Sequence, residues 1–151
     1  MLDDTDRRLL RLLQEDSAMT NQDLAQRAHV SPATALRRVR RLVESGVIER
    51  HMAILAPEAV GGGLTAILEV TLDVQSADAM AAFEAAAAAE PAVQQCYRVA
   101  SGPDFVLVVY VPDMPAYHAF VHRALTAEAN VRNVRSFFAV KRSKFAPVLP
   151  V

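Results

Sequence analysis

The chain of 151 residues carries a single cysteine, Cys96, so it cannot form an internal disulfide, and no metal-ligating neighbours accompany that thiol in sequence. Cys96 is expected to be an ordinary strand residue. No apolar run approaches the ~20 residues of a membrane-spanning helix, and the N-terminus lacks a basic stretch followed by an apolar one, so neither a membrane span nor a signal peptide is visible. A cytoplasmic protein is expected. Net charge is nearly absent, at −1, which argues against indiscriminate coating of nucleic acid. Also missing are a phosphate-cradling glycine loop, a nucleophile elbow and a carboxylate pair at catalytic spacing. Gly61-Gly-Gly63 follows no strand and reads as linker. His118 and His122 are four apart, as metal-binding helix pairs are, but no zincin glutamate and no third ligand accompany them. Met52, Met80 and Met114 are scattered and read as core or linker filling. No catalytic residue, cofactor or metal is therefore expected.

What is present is an uneven distribution of charge over an apolar background. Hydrophobic residues make up 52% of the chain, ample for a core. Residues 1–52 hold nine arginines against eight acids, and residues 53–151 hold seven basic residues against nine acids. Arg37, Arg38, Arg40 and Arg41 are concentrated in one short segment that begins at Ser31, a natural N-cap, with Pro32 at the first helical position. Leu36, Val39, Leu42 and Val43 recur at spacings of three and four and predict one apolar face, with the arginines projecting sideways and outward. Gly46 stops the helix.

Two helices precede it. Asp3 or Asp4 caps the first, whose Leu9, Leu10, Leu12 and Leu13 supply a core-facing stripe ending near Asp16. Thr20-Asn-Gln-Asp23 resembles a capping box and opens the second, which buries Leu24, Ala25 and Ala28. The break at His29-Val30 leads directly into Ser31. Three helices with a tight turn before the last make a helix-turn-helix unit, and Val47 to Leu55 is expected to add a small β-wing. A locally focused basic patch suits sequence-selective binding of double-stranded DNA.

A linker is placed at 53–63, between a DNA-binding domain over 1–52 and a second domain over 64–151. In the second domain, Ile67, Glu69, Thr71 and Asp73 alternate with Leu68, Val70, Leu72 and Val74, a strand pattern over Leu64 to Val74. Ala77 to Ala89 is an alanine-rich helix stopped by Glu90-Pro91. Strands follow at Val93 to Ala100 and Phe105 to Val111, joined by Ser101-Gly-Pro-Asp104, a turn by composition. Pro115 to Leu125 reads as a helix and Val134 to Val140 as a last strand. The order βαββαβ is that of an α+β, ferredoxin-like sandwich with two helices on one face of a four-stranded antiparallel sheet. The other face, with Val106, Val108, Tyr110 and Phe138, is expected to be an oligomerisation surface.

Taken together, Leu2-Asp-Asp-Thr-Asp-Arg-Arg-Leu-Leu10, Ser31-Pro32, Leu36-Arg-Arg-Val-Arg-Arg-Leu42, Gly46-Val-Ile-Glu49 and the segment ending Val111-Pro-Asp-Met114 resemble the Lrp/AsnC family of prokaryotic transcription factors. The resemblance implies an N-terminal winged helix-turn-helix domain that reads DNA, here through Ser31, Thr34, Arg37, Arg38, Arg40 and Arg41. It also implies a C-terminal sensing domain that pairs into homodimers, often assembled to octamers, and binds a small effector, usually an amino acid. The family's effector loop matches Ala100-Ser-Gly-Pro-Asp-Phe105, with the glycine one position late, Ser101 in its usual place and Phe105 for the commoner tyrosine. The implied effector residues are Ser101, Gly102, Asp104 and Ser136, with Val134 where relatives often carry a hydroxyl. An alternative from another class is a sirohaem-decarboxylase-like enzyme of the same two-domain architecture, for which His118, His122 and Arg98 are the candidate residues.

Overall fold

The computed structural model describes residues 1–127 and 130–151. The chain divides into two compact units, Met1–Ile54 with Lys144–Val151, and Leu55–Ser143.

The first unit is built on three capped helices. α1 (Asp4–Glu15) starts from Asp3, whose carboxylate accepts the Asp6 N–H while the Asp6 carboxylate accepts the Asp3 N–H. This reciprocal box selects Asp3 as the cap and leaves Asp4 in the first turn, where its charge suits the helix dipole. α2 (Asn21–Ala28) is capped by the Thr20 hydroxyl, which accepts the Asp23 N–H at 3.1 Å. It ends with His29 in the left-handed region (φ 57°, ψ 47°) and the Val30 N–H bonded to the Ala25 carbonyl at 3.0 Å. α3 (Pro32–Glu44) follows at once, capped by Ser31, and closes at Gly46 (φ 74°). Leu9, Leu24, Ala25, Ala28 and Ala35 form the buried centre, with Leu12, Leu13 and Val39 packed against it.

Two expectations for this unit need correction. α3 is rotated from its predicted orientation: Ala35 and Leu42 are buried, whereas Leu36 and Val43 are each 44% exposed. The inward stripe is Ala35, Arg38, Val39 and Leu42, because Arg38 turns towards α1, as described below. The β-wing does not form, since residues 47–55 contain no strand. The Ile48 N–H is taken by the Leu42 carbonyl at the helix end, and no turn residues follow that would fold the segment back as a hairpin. Lys144–Val151 pack with this unit as well. Gln14 clasps the Leu149 backbone through both amide atoms (3.0 and 2.7 Å), and Arg11 Nε donates to the Val151 backbone oxygen.

In the second unit a 3-10 turn at Pro57–Val60 precedes β1 (Leu64–Leu72), α4 (Ala77–Ala89), β2 (Val93–Arg98), β3 (Phe105–Val111), α5 (Met114–Val121) and β4 (Val131–Phe138). α5 runs on through one π turn, His122–Thr126. The sheet is antiparallel in the order β2-β3-β1-β4, the expected βαββαβ sandwich. Alternation decides its faces: Ala66, Leu68, Val70, Leu72, Phe105, Leu107, Val109 and Val111 are buried with Phe83, Ala87, Tyr117, Phe120 and Leu125. Ile67, Val106, Val108 and Tyr110 point to the opposite face. Phe138 does not join them. It pairs with Ala66, and its ring meets Tyr117 edge-on at 4.8 Å, whereas Phe137 pairs with Ile67 on the open face.

Candidate DNA interface and ligand groove

α3 presents its arginines in two different states. Arg37 and Arg40 are exposed, and among the described residues neither forms an ion pair. Arg38, by contrast, is directed at α1, where its Nη1 donates to Asp3 at 2.6 Å and to Asp6 at 2.9 Å. Arg41 Nη2 donates to the other oxygen of Asp6 at 2.5 Å while its side chain stays half exposed. The four arginines therefore do not all project outward. Ser31 and Thr34 sit at the helix start, with the Ser31 hydroxyl accepting the Thr34 N–H at 3.2 Å and donating to the Thr34 hydroxyl at 2.9 Å.

Asp6 is only 1% exposed. Burial by itself raises a carboxyl pKa, but the Arg38 hydrogen bond, the Asp3 N–H and the Arg41 charge outweigh it and hold Asp6 below the usual carboxylate range. Asp3 is lowered chiefly by the Asp6 N–H and then by Arg38. Arg38 is raised in turn by its bonds to Asp3 and Asp6. Sequence reasoning offered Asp3 or Asp4 as the cap and missed Asp6 altogether. Its signal was an acid three residues after the cap, the capping-box spacing.

In the second unit, the Ser101 to Asp104 segment is the β2–β3 turn, with Gly102 at φ 87°. Asp104 is already employed: its Oδ2 accepts the Leu72 N–H at 2.7 Å and Gln75 Nε2 at 3.1 Å, and its own N–H donates to the Val70 carbonyl. Ser136 lies apart from that turn, on β4, with β1 between it and β3. It shares a short hydrogen bond with the Tyr117 hydroxyl. An open groove of about 420 Å³ runs here, lined by Tyr117, His118, Val121, His122, Thr126, Val134 and Ser136. Tyr117 and Thr126 are additions that no sequence pattern singled out, because the π turn that brings Thr126 round has no local signature.

Of the residues offered for an enzyme, His118 and His122 share the groove, but Arg98 does not join them. Arg98 is on β2, at the opposite edge of the sheet from β4, and forms a bidentate pair with Glu84 at 2.8 Å through each nitrogen. The Cys96 thiol is pushed up by burial and then by the Glu84 charge, the opposite of what a thiolate nucleophile needs. Among the described residues no cluster of three or more His, Cys, Asp or Glu side chains is placed to hold a metal, and no helix is long and apolar enough to cross a membrane.

A capped arginine-bearing helix in a helix-turn-helix unit, joined in one chain to a βαββαβ unit with an open groove, defines a DNA-binding regulator with a ligand-binding domain. Residues 2–49 match the winged helix-turn-helix DNA-binding family, and residues 65–149 match the Lrp/AsnC ligand binding domain. The chain belongs to the Lrp/AsnC family and is a DNA-binding transcriptional regulator. The leucine-responsive regulatory protein of Rhizobium meliloti is 38% identical to it over 145 residues, 96% of this chain and 93% of that one. A crystal structure of an AsnC family transcriptional regulator from Agrobacterium tumefaciens is similar at 34% identity and a TM-score of 0.88, covering 99% of this chain and 97% of that one. A transcriptional regulator from Neisseria meningitidis, solved in complex with L-Met, is similar at 33% identity and a TM-score of 0.87, with the same coverage.

Proposed function

We propose that this regulator responds to an amino acid, which binds through the β2–β3 turn and the groove along β4. The groove carries this reading. It sets hydroxyl and imidazole groups of Tyr117, Ser136, Thr126, His118 and His122 beside the apolar Val121 and Val134, so one ligand can meet both polar and aliphatic partners. The L-Met bound to the Neisseria meningitidis relative supports the ligand class. In the turn, Ser101 and Gly102 offer backbone N–H groups to a carboxylate, and Asp104 Oδ1, which takes no protein hydrogen bond among the described residues, faces an ammonium group. Turn and groove lie on strands β3 and β4, with β1 between them, and a ligand touching both is proposed to do so where two protomers meet. The regulator accordingly works as a homodimer, assembled further to an octamer, in the cytoplasm. Dimerisation presents two copies of α3 to major grooves about 34 Å apart. There Ser31, Thr34 and the arginines divide between phosphates and base edges.

A thermal-shift screen with the twenty standard amino acids tests this. A ligand at about 100 times its Kd stabilises by about 2.7 kcal/mol, and Ser136→Ala is expected to diminish that shift. No shift with any of the twenty would refute the amino-acid reading.

A further inference from the structure

Resting on the reading of α3 as the DNA-contacting helix, we propose that Arg38 and Asp6 form a positioning pair that fixes the rotation of α3, and that Arg38 itself touches no DNA. The two arginine states on α3 carry the inference. Arg38 is only 19% exposed in its side chain, and its Nη1 is shared between Asp3 and Asp6, whereas Arg37 and Arg40 are exposed and unpaired among the described residues. Arg38 Nε is buried without a partner among the described residues, so the guanidinium is seated in the unit rather than laid along its surface. Asp3, Asp6, Arg38 and Arg41 together sum to zero charge, leaving Arg37 and Arg40 as the uncompensated cations of the helix. Drawing Arg38 out to a phosphate would leave Asp6 Oδ1, on a carboxylate that is 99% buried, without its guanidinium partner, an exchange that favours the closed pair. Arg41 keeps a half-exposed side chain and can meet a phosphate while one nitrogen stays on Asp6.

The rotation matters because base readout depends on which side chains face the groove floor. Arg38 reaches α1 from the inward stripe that also holds Ala35 and Leu42, so its bonds to Asp3 and Asp6 set the angle at which Arg37 and Arg40 leave the helix. Weakening the pair lets α3 roll. Phosphate contacts tolerate a small roll, whereas bidentate base contacts do not.

The test uses the full-length chain and two duplexes of equal length, one enriched by the wild-type protein from a random pool and one unselected. Affinity for each is measured against salt, well below the melting temperature of every variant. Arg37→Gln and Arg40→Gln are each expected to flatten the slope of log affinity against log salt by about one unit when they contact phosphate, or to reduce discrimination between the duplexes when they contact bases. Arg38→Lys keeps the charge, but its ammonium stops one bond short of the Nη1 position that Asp3 and Asp6 share. It and Asp6→Asn are expected to lower discrimination by about tenfold or more without flattening the slope, a change that mere loss of stability would not produce in a folded variant. Arg38→Gln should likewise leave the slope intact. A one-unit loss of slope in Arg38→Gln, with discrimination unchanged in Arg38→Lys and Asp6→Asn, would overturn the positioning role alone. Unaltered slope and discrimination in both Arg37→Gln and Arg40→Gln would instead overturn the DNA-interface reading, and this proposal with it.

Discussion

His29 and Gly63 are two positions where the backbone asks something specific of its residue. His29 is the one described non-glycine residue with positive φ, and it makes the turn between α2 and α3 at the steric cost that a Cβ incurs in the left-handed region. Replacing it by Gly removes that cost but adds freedom to the unfolded chain, so His29→Gly is expected to stabilise by about 0.5–1 kcal/mol in chemical denaturation. A loss of stability would show that the imidazole makes a compensating contact. Gly63 is constrained differently. A Cβ there would lie 2.6 Å from Tyr110 Cζ and Oη and 2.8 Å from the Val111 carbonyl oxygen. The carbonyl belongs to a paired central strand and cannot yield, so Gly63→Ala should cost about 1–3 kcal/mol. Tyr110→Phe removes a buried hydroxyl that has no partner among the described residues, and is expected to be neutral or stabilising on its own and to recover part of the Gly63→Ala loss.

Among the elements, α1 and α3 are joined by charge as well as by apolar packing, and that joint titrates. Asp3 and Asp6 are both held below their ordinary value of 3.8, so their contribution is complete above that value and is lost as pH falls through the lower values of the folded state. Thermal melts followed by circular dichroism are expected to show the helical unit losing stability steeply below about pH 4. Asp6→Asn should be less stable at neutral pH but flatter in acid. An acid profile identical to wild type in that variant would mean that the pair does not hold the unit together. This joint also marks where sequence reading stops. α4 and β3 were legible to the residue, because an alanine-rich run stopped by Glu90-Pro91 and an unbroken run of apolar β-formers over Phe105–Val111 after the Ser101–Asp104 turn are local signals. The inward turn of Arg38 was not, since its partners lie more than thirty residues upstream. Phe137 and Phe138 were misassigned for a related reason. Two adjacent phenylalanines contain no alternation, and only the register against β1 decides which of them faces the helices. At the proposed ligand site the β2–β3 turn was readable from its composition, whereas the groove was not, because Tyr117, Thr126 and Ser136 meet only through tertiary packing.

For the whole molecule, the open face of the sheet is the feature that a single chain leaves unfinished. Ile67 (42% exposed), Tyr97 (53%) and Phe137 (46%) lie on it with Val106, Val108 and Tyr110, an apolar surface rimmed by the Glu69–Arg135 ion pair. We propose this face as an association surface, on which a twofold arrangement would bury the same patch of both protomers. Ile67 is well placed to test this, because it is central in the sheet yet exposed enough for a charged side chain to be tolerated without a partner. Ile67→Lys is therefore expected to leave the folded protomer intact by circular dichroism while light scattering shows it shifting to monomer. DNA binding should fall with it. Two linked α3 helices gain from a shared effective concentration that one does not, so affinity for a two-half-site duplex should drop by about 10²–10⁴-fold. The slope of log affinity against log salt should approach half its wild-type value, as one set of phosphate contacts is lost. A folded Ile67→Lys protein that still assembles, with affinity and slope unchanged, would place the protomer contact on another surface.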